Sequence, residues 1–253
     1  MKWLESLGVA LSTYSAIPMP QFEWNRDNMK YAICFFPAVG ILCGGALAVW
    51  CWAGSALGFS GVLFAAFAVI LPLLVTGGIH MDGFMDTMDA LSSHLSRERK
   101  LEILKDPHCG AFAVIWCGAY LLGSFAVFYE LWGMGLVYVC CPAFVLSRAL
   151  SAFCAVTMPN AKKTGMLCAF TKDAEKNKAA VSMMLLALLA AAGMVLISPV
   201  SGALGVALGV AAMLRYQAVA KKEFGGATGD TAGFFLQVCE LSAFAGILIG
   251  GMI

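Results

Sequence analysis

Residues 31–53 read YAICFFPAVGILCGGALAVWCWA, a run without a single charged side chain. A hydrocarbon core of about 30 Å takes roughly 20 helical residues to cross, so this run is long enough to span a membrane. Apolar runs of similar length recur at about 61–79, 111–130, 134–157, 180–198, 201–220 and 234–253, giving seven candidate spans. The whole chain agrees: its 253 residues are 61% hydrophobic and 12% charged, against about 45–50% and about 25% in soluble domains. The expected fold is all-α, a polytopic integral membrane bundle forming one domain over residues 1–253.

The connections alternate in character. Segments 1–30, 80–110, 158–179 and 221–233 are long and polar, whereas 54–60, 131–133 and 198–200 are short. Fourteen of the sixteen Lys and Arg lie in the long segments, and the other two, Arg148 and Arg215, fall inside the fourth and sixth spans. By the positive-inside rule the N-terminus and the long loops are cytoplasmic and the C-terminus is outside. The opening residues MKWLESLGVALSTYSAIPMP are no signal peptide, because Glu5 interrupts a short apolar region that lacks a small-x-small cleavage site. They read as an amphipathic segment at the interface, anchored by Trp3. The ten cysteines show no C-x-x-C spacing and are scattered in or near apolar runs, the pattern of small hydrophobic side chains and not of a zinc site or disulfide framework. A net charge of +1 without a dense basic run gives no reason to expect a nucleic-acid partner.

Against this background residues 77–110, GGIHMDGFMDTMDALSSHLSRERKLEILKDPHCG, stand apart. If 79–91 is helical, Asp82, Asp86 and Asp89 stand at i, i+4 and i+7 and share one face. Met81, Phe84, Met85 and Met88 make the opposite face apolar, so the acidic face is placed and not merely solvated. Three carboxylates on one stripe repel unless a cation neutralises them. All-oxygen ligands suit Mg²⁺, or Mn²⁺. Mg²⁺ typically takes one or two carboxylates together with water and substrate phosphate oxygens, so the stripe implies a phosphorylated substrate as well.

Other groups could join it. GGATGD at 225–230 places Gly226 and Thr228 where a backbone nest could hold an anion, with Asp230 as a fourth metal ligand. Glu240 and Arg148 are ionisable residues at membrane depth, which marks them as functional candidates or as each other's partner. Lys105 and Lys163 offer charge to a phosphate, Asp106 adjoins Lys105, and His80 and His108 flank the acidic stretch as candidate bases.

These motifs resemble the cobalamin synthase family, the adenosylcobinamide-GDP ribazoletransferases. GGIHMDGFMDTMDA at 77–90 is the most specific match, followed by KDPHCGAFAV at 105–114, FFPAVG at 35–40, LSR at 146–148, GGATGD at 225–230 and, more loosely, TYSAIP at 13–18. The chain departs where the family has a Tyr-Ala-Arg pattern, for it reads Asn160-Ala161-Lys162-Lys163, and a lysine does not replace a bidentate arginine. The resemblance implies a Mg²⁺-dependent enzyme of the bacterial cytoplasmic (inner) membrane. It would transfer the phosphoryl group of adenosylcobinamide-GDP to α-ribazole or its 5′-phosphate, giving adenosylcobalamin or its 5′-phosphate and GMP. Asp82 and Asp86 would be the principal metal ligands, Asp89 and Asp230 a further ligand or base, and Lys105 and Arg148 the groups that stabilise the diphosphate. His80 or Asp89 would take the hydroxyl proton. The expected partners are those two small molecules and the lipid bilayer, and a homo-oligomer is compatible with the sequence.

Two other membrane transferases use acidic motifs on diphosphates. A CDP-alcohol phosphotransferase needs an arginine after its leading Asp pair, whereas Asp82-Gly83 is followed by Phe84-Met85-Asp86; a UbiA-like prenyltransferase needs two Asp-rich motifs, and one is evident. A transporter would show related halves with broken helices, and the sequence shows no such repeat.

Overall fold

Apolar runs in lipid must satisfy every backbone polar group internally, and helices do so within one segment. The computed structural model describes residues 2–20 and 22–253 and is helical throughout, with an isolated bridge at Asn160 and Ala227 as its extended pairing among those residues. In order the helices are α1 (Lys2–Tyr14), α2 (Arg26–Ala32), α3 (Phe36–Leu57), α4 (Gly61–Thr76), α5 (Ile79–Ser92), α6 (Arg97–Ile103), α7 (Ala111–Gly133), α8 (Cys140–Thr157), α9 (Met166–Lys172), α10 (Lys176–Ile197), α11 (Pro199–Val219) and α12 (Gly229–Gly251). A 3₁₀ turn joins α2 to α3, so that Arg26–Leu57 runs as one long element, and a π turn over Ala220–Phe224 extends α11.

Six helical elements among the described residues are long and apolar enough to cross a membrane. The second expected span is bent, and α4 with α5 brings the count to seven if the pair is one span. It was expected at 61–79, but α4 stops at Thr76, and α5 leaves it at 99°. Gly77 (φ 64°) and Gly78 (φ 79°) cause the break: both adopt the left-handed conformation that glycine enters without a Cβ penalty. The acidic helix thus turns aside from the direction of α4, as in a broken span or a re-entrant loop.

Small residues let the spans approach. In α12 a β-carbon on Gly246 would stand 2.5 Å from the Leu204 carbonyl oxygen, and one on Gly250 2.5 Å from the Ser201 Cα. Two facing G-x-x-x-G patterns, 205–209 and 246–250, therefore seat α11 on α12. The ends of the spans joined by long polar segments gather α1, α2, α5, α6 and α9 on one face of the bundle. Trp3 stacks on Tyr31 at 4.5 Å and remains largely exposed, while further along α1 Val9, Ala10 and Tyr14 are buried.

Candidate active site

The site forms where α5 crosses the first turns of α12. A β-carbon on Gly83 would stand 2.8 Å from the Asp230 carbonyl oxygen, and one on Gly233 2.9 Å from that of His80. Glycine at both positions lets the two backbones touch, which brings the acidic stripe of one helix beside Asp230 of the other. Asp82 is exposed, Asp86 and Asp89 are half-buried, and the Asp89 carboxylate lies against Gly110 at the start of α7. Burial, then the charges of Asp82 and Asp230, push the Asp86 carboxyl up from its ordinary value to about 6.

Among the described residues no three His, Cys, Asp or Glu side chains are grouped to hold a metal ion by themselves. A Mg²⁺ that takes one or two carboxylates and completes its shell with phosphate oxygens and water needs no such group. The donor set of Asp82, Asp86 and Asp230 is all oxygen, and the mutual repulsion that raises Asp86 is the condition a cation relieves.

Lys162 enters this cluster, and Lys163 does not. The Lys162 Nζ donates to Asp230 Oδ2 at 2.9 Å and to the Leu104 carbonyl at 3.3 Å, whereas Lys163 is exposed. Lys105 is also exposed, in the turn after α6. Asp106 is engaged with His108, whose ring Nδ1 lies 2.7 Å away and whose backbone N–H donates to it at 2.9 Å. Those bonds hold the Asp106 carboxyl below its ordinary range. The pair forms a surface turn.

In the loop where a backbone nest could hold an anion, the N–H groups of 225–228 are already engaged. The Gly225 N–H donates to Lys221, Gly226 to Ala220, Ala227 to Pro159 and Thr228 to the Thr231 hydroxyl, at 2.8–3.2 Å. Those donors are consumed inside the fold. What Gly226 and Thr228 do is aim α12: Gly226 lies flat against Pro159 and Ala161, and Thr228 caps the helix through a reciprocal pair with Thr231. Lys100 pairs with Glu223, and Arg97 donates to the Lys222 carbonyl at 3.1 Å, so α6 clamps the same loop.

Arg148 and Glu240 are bonded to each other below the cluster, with side chains 2% and 3% exposed. Ser147 donates to Glu240 Oε1 at 3.0 Å, and Arg148 also donates to the Phe144 carbonyl at 3.2 Å. Arg215 faces outward from α11.

Under Asp82 and Asp230 lies a cavity of about 190 Å³. Its wall includes Tyr14, Ile33, Phe36, His80, Ser151 and Leu236, and the described lining includes neither Arg148 nor Glu240. His80 is 5% exposed, with the Tyr14 and Phe36 rings at 6.2 and 5.6 Å. Burial lowers its pKa well below the ordinary value, so the imidazole is neutral. Sequence reasoning missed Tyr14, Phe36, Ser151 and Lys162. Tyr14 and Phe36 lie inside the two N-terminal motifs, and Ser151 stands one turn from Arg148, but nothing local aims any of them at a common point.

A carboxylate cluster with a lysine thus stands over a mostly apolar cavity on the charge-rich face of a polytopic membrane bundle. The chain belongs to the cobalamin-5-phosphate synthase family, whose model matches residues 6–248. It is 43% identical over 249 residues to the adenosylcobinamide-GDP ribazoletransferase of Lachnoclostridium phytofermentans, covering 98% of this chain and 95% of that protein. Proteins of the same name from Clostridium botulinum (strain Alaska E43) and Geobacillus sp. (strain WCH70) are 31% and 32% identical, covering 94% of both chains and 87% and 86% respectively. No solved structure matches the chain.

Proposed function

We propose that this chain joins α-ribazole, or its 5′-phosphate, to adenosylcobinamide-GDP and releases GMP. The family and the names of its full-length relatives support the reaction. The observation that carries the assignment to this site is the α5–α12 crossing, which brings the stripe of Asp82 and Asp86 beside Asp230 and its partner Lys162, with Asp82 and Asp230 lining a cavity.

In the reaction the ribazole hydroxyl oxygen bonds to the phosphorus nearer the cobinamide. The bond from that phosphorus to the bridging oxygen breaks, and GMP departs with the electron pair. The hydroxyl proton passes to a carboxylate of the cluster. Asp82 and Asp86, with Asp230 beside them, would hold Mg²⁺ or Mn²⁺, which supplies charge neutralisation on the diphosphate when bound. Lys162 adds a point charge at the same place. Catalysis then rests on positioning and electrostatics, as in other phosphoryl transfers. Arg148 and Glu240 hold α8 to α12 beneath the reacting groups.

The distribution of Lys and Arg supports a cytoplasmic-membrane location with the site facing the cytoplasm. The test is release of GMP from adenosylcobinamide-GDP by purified chain in detergent, with α-ribazole and Mg²⁺. Turnover that is abolished in Asp82→Asn is expected. Absence of GMP release from the folded wild type, or wild-type turnover by Asp82→Asn at limiting Mg²⁺, overturns the reading.

A further inference from the structure

The cavity beneath the carboxylates is small and mostly apolar, and it carries one unmet polar demand. At about 190 Å³ it falls below the roughly 300–1,000 Å³ of a pocket that encloses a whole ligand. A corrin ring does not fit, but one flat ring system does. Its inner wall is built by Tyr14, Ile33, Phe36 and Leu236, from three separate helices. The His80 side chain is buried, lines this space, and its Nε2 has no hydrogen-bond partner among the described residues. Buried ring nitrogens are normally satisfied, and an unpaired one in a residue that lines a cavity points to a group that arrives with the ligand.

We infer that this cavity is the subsite for the planar base of the ribazole, and that His80 Nε2–H donates to the base's free ring nitrogen. The inference rests on the function proposed above and names the part of the substrate that enters. A benzimidazole riboside carries its sugar on one ring nitrogen and keeps the other as a single acceptor, so one donor satisfies its whole edge. A guanine ring presents several donors and acceptors, which an apolar wall would leave unmet. The geometry also gives direction: with the base between Tyr14, Phe36 and Leu236, the sugar emerges toward Asp82 and Asp230, where the diphosphate is held. His80 is thus a specificity-determining residue, contacting the part of the substrate remote from the reacting atoms.

The experiment compares the α-riboside of benzimidazole with that of indole, which has the same shape and a C–H in place of the acceptor nitrogen. Binding of each to the purified full chain is measured by titration calorimetry, and KM by GMP release. Wild type is expected to bind the benzimidazole riboside about tenfold more tightly, a difference of about 1.4 kcal/mol. His80→Phe keeps an aromatic ring in the cage and is expected to bind both equally, with KM for adenosylcobinamide-GDP unchanged. Ala152→Leu, which narrows the cavity from its α8 wall, is expected to weaken both ribosides together. Equal binding of the two ribosides by wild type, no binding of either, or a preference that survives in His80→Phe overturns the inference. So does a rise in KM for adenosylcobinamide-GDP alone, which would make this a guanine pocket. A wild type that binds the ribosides with the expected preference but releases no GMP counts against the proposed reaction and leaves the subsite standing.

Discussion

Gly83 of α5 faces the backbone of Asp230 in α12 so closely that a β-carbon there would stand 2.9 Å from the Asp230 Cα. Two motifs 147 positions apart in sequence meet at that point, and the acidic cluster exists because of it. Gly83→Ala is expected to push the helices apart and lower kcat/KM by about 100-fold, the effect of a misplacement of about 1 Å. The chain should remain folded with a loss of about 1–3 kcal/mol, as for other overpacked sites. GMP release and thermal unfolding in the same detergent measure both. Wild-type turnover would show that the close approach does not set the geometry.

Adjacent lysines have opposite roles here. Lys162→Ala removes the partner of Asp230 and should lower kcat/KM by about tenfold or more, the scale of one hydrogen bond to a charged group. Lys163→Ala should stay within about threefold, since surface changes rarely exceed about 0.5 kcal/mol. Steady-state kinetics of the two variants side by side decide it, and the reverse order would remove Lys162 from the site.

Asp86 should trade stability for activity. It is crowded by Asp82 and Asp230, so Asp86→Asn is expected to raise the unfolding temperature in metal-free buffer while lowering turnover by about 100-fold. Added Mg²⁺ should stabilise wild type by mass action and the variant far less. Equal Mg²⁺ shifts in both would exclude Asp86 as a ligand.

The Arg148–Glu240 pair predicts a rescue. Arg148→Met leaves Glu240 buried without its partner and should destabilise by about 3–5 kcal/mol, whereas Arg148→Met with Glu240→Leu should recover most of that. A double-mutant cycle on thermal unfolding reads the coupling directly. Activity restored in the double variant is expected of a pair that positions helices. A stable double variant without activity would return both residues to substrate binding.

Much of this architecture was legible because lipid makes the code strict. Span-length apolar runs and the segregation of Lys and Arg gave seven segments, and the helical spacing of Asp82, Asp86 and Asp89 put them on one face. What stayed hidden depends on distant parts of the chain. The glycine loop was read as an anion nest because its donors are locally free, yet Pro159 takes one of them through a bridge formed far away in sequence. Lys162 and Lys163 are chemically identical, and partners distant in sequence, Asp230 and the Leu104 carbonyl, distinguish them. Gly77 and Gly78 open the acidic motif, but the sharp turn they impose shows only in their backbone angles. The cage around His80 draws on three helices, and no spacing within one helix announces it.

The Arg148–Glu240 pair also orders the birth of the molecule. Its members are 92 residues apart, and ribosomes add roughly 5–20 residues each second. For about 5–20 s of synthesis α8 therefore exists with an arginine at membrane depth and no carboxylate to meet it. On its own that arginine disfavours insertion by roughly 2.5–3.5 kcal/mol. Only when α12 follows is it resolved, so a chain cut short before α12 displays an uncompensated charge inside the bilayer.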